Sequence, residues 1–588
     1  MQQRSVIKNF FNALTDQEEK LKNVLKQDNT GWMLKGAISE LDWYRYNFLR
    51  AEEMSAEREE YYYLMQIGAT RFVNLALKAR PSFDAPVIMF VRHPSTSIPV
   101  LQILHALGMI EHGRRIAQSI FGGLGKIEQH NDLTFRITLP DQIHDGEYFE
   151  KVMEDHFRNE SRIHYEKLFE SDVVRKIRVE VDDAISKLVY PFMENFIGYD
   201  ASPILDEYFF SIAYAELQSK EGYDSFNGAA KFGGVEYRTY LIALNFIISI
   251  LIRHEKFAEA LVRKDGKVKL ENILTVTSDT DGFIESMVDA VNHFGRHVQD
   301  FRDIGLLEAR QVFEVLSIGR SNLDLLENPG ASMPPLVQSS GQGFIRCLTG
   351  AGAEPLKFLL DSLRFHFPSD YDRNQQTREK SMQCGLVRIL QGTVGSLVYR
   401  ENIKLKLERR LLTDVDMIVI EECTGTVFLC QLKHQELYGL DLHAKRERTT
   451  RLKDQVAKWL VAIDEWLEVV DDATMRATLR LPSTMNTPNF KRVVISRHYA
   501  YPLRELQLNV DTAYANWLQF FNAAELLKTN EVGQPSLPLL FERIKESSAP
   551  TGPVEYEREP RGQWVIDNLK FTVEQEEPIV KSGNSRAA

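Results

Sequence analysis

The chain has 588 residues, a length that points to about two to four packed units rather than one core. Hydrophobic residues at 44%, aromatics at 10% and charged residues at 26% exclude a largely disordered chain. A formal net charge of -12 excludes indiscriminate coating of nucleic acid, which depends on neutralising phosphates with Lys and Arg, so any such site has to be a local basic patch.

The first residues mix Lys8, Asp16, Glu18 and Glu19 with scattered apolar positions, and lack the unbroken apolar stretch of a secretory signal. The longest apolar run, 241–252, has 12 residues and contains Asn245 and Ser249. That is short of the roughly 20 a spanning helix needs, so a buried helix is expected. The expectation is a cytoplasmic protein with no membrane partner. Cys347, Cys384, Cys423 and Cys430 lack paired CxxC spacing, so reduced thiols are expected rather than a disulfide framework or a cysteine zinc site.

Residues 1–335 read as a large helical region, with amphipathic stretches at 7–24, 100–120 and 148–190. Within it, 97–139 reads as two helices, a Gly-rich turn and then alternating Leu133, Phe135, Ile137 and Leu139, the order of a winged helix. The Gly122, Gly123, Gly125 and Lys126 cluster lacks the spacing of a phosphate-cradling loop. His293 and His297 stand four apart and could ligate zinc from one helical face, but no Glu follows His293 to complete HEXXH and the sequence offers no third ligand.

At 328–343 the composition turns to Asn-Pro-Gly, Pro-Pro, Ser-Ser and Gly-Gln-Gly, which reads as a linker, and a second domain is expected over 341–545. A helix at 356–366 and a turn around Pro368 lead to a helix from about Thr377, then strands at 396–407, 416–420 and 426–433. A long helix at 442–470, with Leu452, Val456, Trp459, Ile463 and Trp466 at helical spacing, precedes a strand at 490–496. The tail, 546–588, is rich in Pro, Glu and Gly and is expected to be partly disordered, with 564–573 able to add a strand.

Two carboxylates, Asp414 and Asp416, enter an otherwise apolar strand, where charge is costly unless a cation or hydrogen bonds compensate. Asp414 reads equally well as a strand-entry residue. Alternation puts Gln431 and Lys433 on one face of the following strand. Phosphodiester chemistry needs an oxygen-ligated divalent cation and a positive group against developing charge, which Asp416, Gln431 and Lys433 could supply. On the next helix Arg448, Arg451, Gln455 and Lys458 form one stripe, and from His443 to Lys458 six Lys or Arg face two acids. This stripe is the basic patch that nucleic-acid binding would require.

Helix, strand with Asp, strand with Gln-x-Lys, helix and strand together resemble the PD-(D/E)XK nuclease superfamily over about 373–498. The resemblance implies a mixed α and α/β protein: a helical N-terminal region, then a three-layer α/β/α restriction-endonuclease-like domain with a mixed central sheet. It further implies Mg2+ or Mn2+ held by Asp416, Gln431 and Glu379, with Lys433 assisting attack and Glu379 contributed by the first core helix. Gln431 stands where the family commonly has an acid, which leaves one fewer negative charge on the metal. The implied function is a metal-dependent endonuclease acting on nucleic acid, DNA ahead of RNA, of a kind found in microbial defence against foreign DNA. A homo-oligomer or a regulatory protein partner would fit the large helical half. The alternative is a helical interaction or nucleic-acid-binding protein with a degenerate nuclease domain.

Overall fold

Apolar residues at helical spacing gather the first long helices, Gln2–Leu25, Trp32–Phe48, Ala56–Ala79 and Pro94–Phe121, around one core. The structure, a computed structural model, describes residues 2–51, 55–80, 82–84, 89–123, 125–139, 145–200, 202–221, 226–327, 330–436, 442–529, 534–547 and 562–575. Helices Ala56–Ala79 and Pro94–Phe121 touch at glycines, where a Cβ on Gly108 would lie 2.1 Å from the Leu64 carbonyl oxygen. The winged-helix order expected over 97–139 does not form. Val100, Leu104, Leu107, Ile110, Ile116 and Ile120 keep one face buried without a break, so Pro94–Phe121 is one helix and not two. Gly108 serves close helix packing, and only the hairpin Lys126–Asn131/Thr134–Leu139 matches the expectation.

That hairpin is half of a four-stranded sheet completed by the far end of the chain. Gly562–Ile566 and Leu569–Gln575 form a second hairpin, and the latter strand runs parallel to Thr134–Leu139. Trp564, Leu569, Phe571 and Val573 are buried in the core of the first helices, which is why this part of the tail is ordered. The remaining tail, 548–561 and 576–588, lies outside the described residues.

A second core joins Tyr237–Lys264, Thr280–Gly295, Leu306–Leu316 and Pro355–His366. The apolar run 241–252 lies in the first of these helices and is mostly buried. Among the described residues no helix is long and apolar enough to cross a membrane. The stretch read as a linker at 328–343 belongs to this body. Leu336–Gln338 and Gly343–Arg346 are strands of a sheet with Thr277–Asp279 and Ser317–Ile318, so its Gly and Ser residues turn a hairpin rather than separate domains. Leu356, Leu359, Leu363 and Tyr371 pack there too, which moves the change of core from 341 to the helix Pro368–Gln391. This helix starts at its proline, earlier than the Thr377 expected, because Pro suits a first helical position. Its Tyr371 lies in the second core, while Met382, Leu386 and Leu390 lie in the third.

The rest of the chain is mixed helix and sheet. Val398–Leu407, Arg410–Glu421, Thr426–Lys433, Asn489–Ser496 and Thr512–Asn516 form a five-stranded sheet in that order. The first three strands are antiparallel, and the last two run parallel to Thr426–Lys433. One face packs on Pro368–Gln391, Trp517–Thr529 and Leu537–Ser547, and the other on Leu442–Val469. Helices on both faces explain why the central strand is an unbroken run, Val427-Phe-Leu-Cys, instead of an alternation. Trp459 and Trp466 fix the long helix by donating to the Asp414 and Lys406 carbonyls at 2.8 Å and 3.2 Å.

Candidate active site

The Asp416 and Gln431 strands pair from Glu421 and Thr426 as far as Met417 and Cys430, and there their ladder stops. Beyond that point Gln431, Leu432 and Lys433 pair on their other side with Val494, Ile495 and Ser496. The Asp416 strand stays with its first neighbour, Val415 opposite Ile403. The sheet therefore forks between the Asp416 strand and the central strand, which keeps its parallel partner along its whole length.

A fork strips backbone donors of their partners, and a buried donor left unpaired costs about 1–3 kcal/mol. Asp416 meets that demand: its Oδ2 accepts from Leu432 N and from Gln431 Nε2, each at 2.6 Å. Because an ionised carboxylate only accepts, Gln431 turns its amide nitrogen towards Asp416 and leaves its carbonyl oxygen for another partner. Burial pushes the Asp416 carboxyl up to about 6, opposed by the Leu432 N–H and the Lys433 charge and reinforced by the negative charges of Asp414 and Glu379. Gln431 thus touches Asp416, and Lys433 and Glu379 are near enough for their charges to act on its carboxyl. Glu379 is exposed on Pro368–Gln391, and no ion pair occupies Lys433 among the described residues.

Three residues escaped the sequence reading. Gln383, buried one helical turn after Glu379, donates to the Asp416 carbonyl at 2.9 Å and to Asn402 Oδ1 at 3.1 Å. Asn402 lies across from Asp416 with φ at +53°, a backbone state that Asn tolerates better than most residues and that breaks the pairing there. The four-residue spacing of Glu379 and Gln383 on one helical stripe was the available signal. Glu436, three residues after Lys433, accepts from Arg364 at 2.6 Å and Gln375 at 2.7 Å and pairs with Arg448 at 3.4 Å. The arginines, Arg364 foremost, outweigh its burial and hold its carboxyl below the usual range.

No protein-family model, curated protein or solved structure matches the chain. The chemistry of the site therefore rests on its own residues.

The basic stripe divides. Arg448 is drawn inward, pairing with Glu436 and donating to the Glu436 carbonyl at 2.9 Å. Arg451, Gln455 and Lys458 face solvent, Arg451 in an exposed pair with Glu447 at 2.6 Å, an arrangement worth little in water.

Proposed function

We propose that the protein is a divalent-metal-dependent endonuclease that hydrolyses phosphodiester bonds of DNA, through a domain with the restriction-endonuclease-like layout. The observation that supports this reading is the forked sheet, where Gln431 donates to Asp416 and the charges of Lys433 and Glu379 act on the Asp416 carboxyl. The free oxygen of Asp416, the Gln431 carbonyl and the Glu379 carboxylate are all hard oxygen donors, the class that Mg2+ and Mn2+ take. Carboxylates of Asp414, Asp416 and Glu379 set against Lys433 leave a surplus of negative charge that such a cation offsets. When bound, the cation supplies a polarised phosphoryl oxygen and an activated water.

The chain's own residues do the rest. Leu432 N–H and the Gln431 amide hold the Asp416 carboxylate in one orientation, so no reorganisation is needed as the substrate arrives. Lys433, whose charge acts on Asp416, would supply an ammonium against the negative charge that builds on the phosphate. Arg451, Gln455 and Lys458 would track the backbone of the bound strand, giving affinity without sequence information. The helical half would restrain or direct the cutter, as a nuclease of microbial defence against foreign DNA requires.

The test is incubation with supercoiled plasmid, single-stranded DNA and RNA in Mg2+, Mn2+ or EDTA, beside Asp416→Ala and Lys433→Ala. Nicking that needs metal and is lost in both variants supports the reading; cleavage unchanged in both overturns the site. A second reading is favoured by the neutral Gln431 amide, whose N–H is spent on Asp416: a binding protein whose nuclease domain is degenerate. It predicts intact substrates but retention of DNA on the Arg451, Gln455 and Lys458 face.

A further inference from the structure

Outside the forked sheet, the helical body brings two neighbouring imidazoles together with a carboxylate that lies far from them in sequence. Glu207 lies on Pro203–Glu221, His293 in the last turn of Thr280–Gly295, and His297 in the turn just beyond it. One ligand atom from each lies within 4.8 Å of the others, and all three side chains are exposed. We propose that Glu207, His293 and His297 form a surface site for a transition-metal dication of the Zn2+ class, separate from the proposed nuclease centre.

The scaffold is fixed before any ion arrives. Phe210, three residues after Glu207, stacks on Phe294, the neighbour of His293, with ring centroids 3.7 Å apart and planes 8° from parallel. That stack sets the two helices in register. The turn carrying His297 is closed by Val298 N donating to the Gly295 carbonyl at 2.8 Å. Its return to Ile304 is clamped by Asn292, which donates to Ile304 O at 3.0 Å and accepts from Ile304 N at 2.8 Å. Both histidines sit at the negative end of Thr280–Gly295, where a cation is favoured.

His293 Nε2 and Glu207 Oε1 already meet at 2.5 Å. A tetrahedral ion with bonds of about 2.0 Å spaces its ligands about 3.3 Å apart, so the pair would open by under about 1 Å, and His297 would close in from within the same radius. Exposed side chains make such movements at little cost. Two imidazoles and a carboxylate suit Zn2+, Co2+ or Ni2+ and not Mg2+, which demands oxygen donors. Three protein ligands on an open surface leave a fourth position to water.

His297 separates a metal site from a simple ion pair, because its removal leaves the His293 and Glu207 contact in place. The experiment titrates Zn2+ alone into the full chain by calorimetry, for wild type, His297→Ala and Asp416→Ala, and repeats the wild type with Co2+ while recording its absorption. Expected is one micromolar or tighter Zn2+ that Asp416→Ala keeps and His297→Ala weakens by about tenfold or more. The bound Co2+ should show visible d–d bands without the near-ultraviolet thiolate band that the exposed Cys384 or Cys423 would give. Wild type that binds no Zn2+ below millimolar, equal binding in His297→Ala, loss in Asp416→Ala, or a thiolate band would each overturn the assignment. Loss of nuclease activity elsewhere would leave it untouched.

Discussion

Asp416 Oδ2 lies 2.6 Å from the backbone nitrogen of Leu432, so the carboxylate that would hold metal also completes the hydrogen bonding of the sheet where two strands part. Function and folding therefore ask different things of one side chain. Asp416→Asn separates them: the amide keeps an acceptor for Leu432 N–H but carries no charge. The folded carboxyl, pushed up to about 6 from an ordinary 3.8, is penalised when ionised, and that penalty grows as pH rises from about 4 to about 6. Asp416→Asn escapes it and should be more stable than wild type at pH 8 by about 2 kcal/mol, discounted for partial exposure, and equal to it at pH 3.5. Urea titration at both pH values checks the sign. Cleavage should fall by about 100-fold or more in the same variant.

Gln383 reaches Asp416 through the backbone and would be a positioning residue in the proposed centre. Gln383→Leu keeps the volume but leaves the Asp416 carbonyl and Asn402 without their donor. The expected cost is about 1–3 kcal/mol of stability, with kcat lowered and KM little changed, because the substrate surface is untouched. Parallel loss in KM would place Gln383 at the substrate instead.

Glu18 governs the acid limit of the helical bundle. Burial alone would raise its carboxyl, but hydrogen bonds and charge from Arg71 and Arg114 hold it at about 2, below the ordinary 4.5. A lowered pKa contributes stability that is complete above 4.5 and is lost as pH falls towards 2. Glu18→Gln should cost about 3 kcal/mol at pH 7, and its melting temperature should converge on that of wild type as pH falls towards 2. A constant gap across that range would show that packing and not charge is responsible.

Gly108→Ala tests the closest helix approach. The new methyl would meet the Leu64 carbonyl at 2.1 Å, and backbone cannot step aside as a flexible side chain does. Helix propensity alone favours Ala by about 1 kcal/mol, so a net loss of about 1–3 kcal/mol in thermal unfolding would mark the steric term as the larger.

Much of the sheet domain was legible because its signals are local. Strands around Asp416 and at 426–433, and the helix stripe from Leu452 to Trp466, announce themselves by period. The strand Thr512–Asn516 was missed: it is only five residues, and its buried Ala513 and Ala515 are too small to give a strong apolar signal. The 328–343 stretch misled because Gly, Pro and Ser mark a tight hairpin and a linker alike, and only pairing with Thr277–Asp279 distinguishes them. At the site, Asp416, Gln431 and Lys433 were visible as charge and amide in apolar strands. Glu436 was not, since its meaning comes from Arg364 and Arg448 arriving from other helices. Glu207 was hidden from the two histidines for the same reason.

Arg136 and Glu574, 438 residues apart, pair across the parallel strands that close the first core. Everything between, the proposed cutter included, is one loop fastened at its base. Closing so long a loop adds little entropy beyond closing a shorter one, because the cost grows only with the logarithm of length. Its effect is on sequence of events: the first helices carry an open strand edge along Thr134–Leu139 until the hairpin 562–575 has been made, so this core is completed only after the sheet domain between. A protease cut anywhere in the loop would leave both fragments on the same particle, held by Trp564, Leu569 and Phe571.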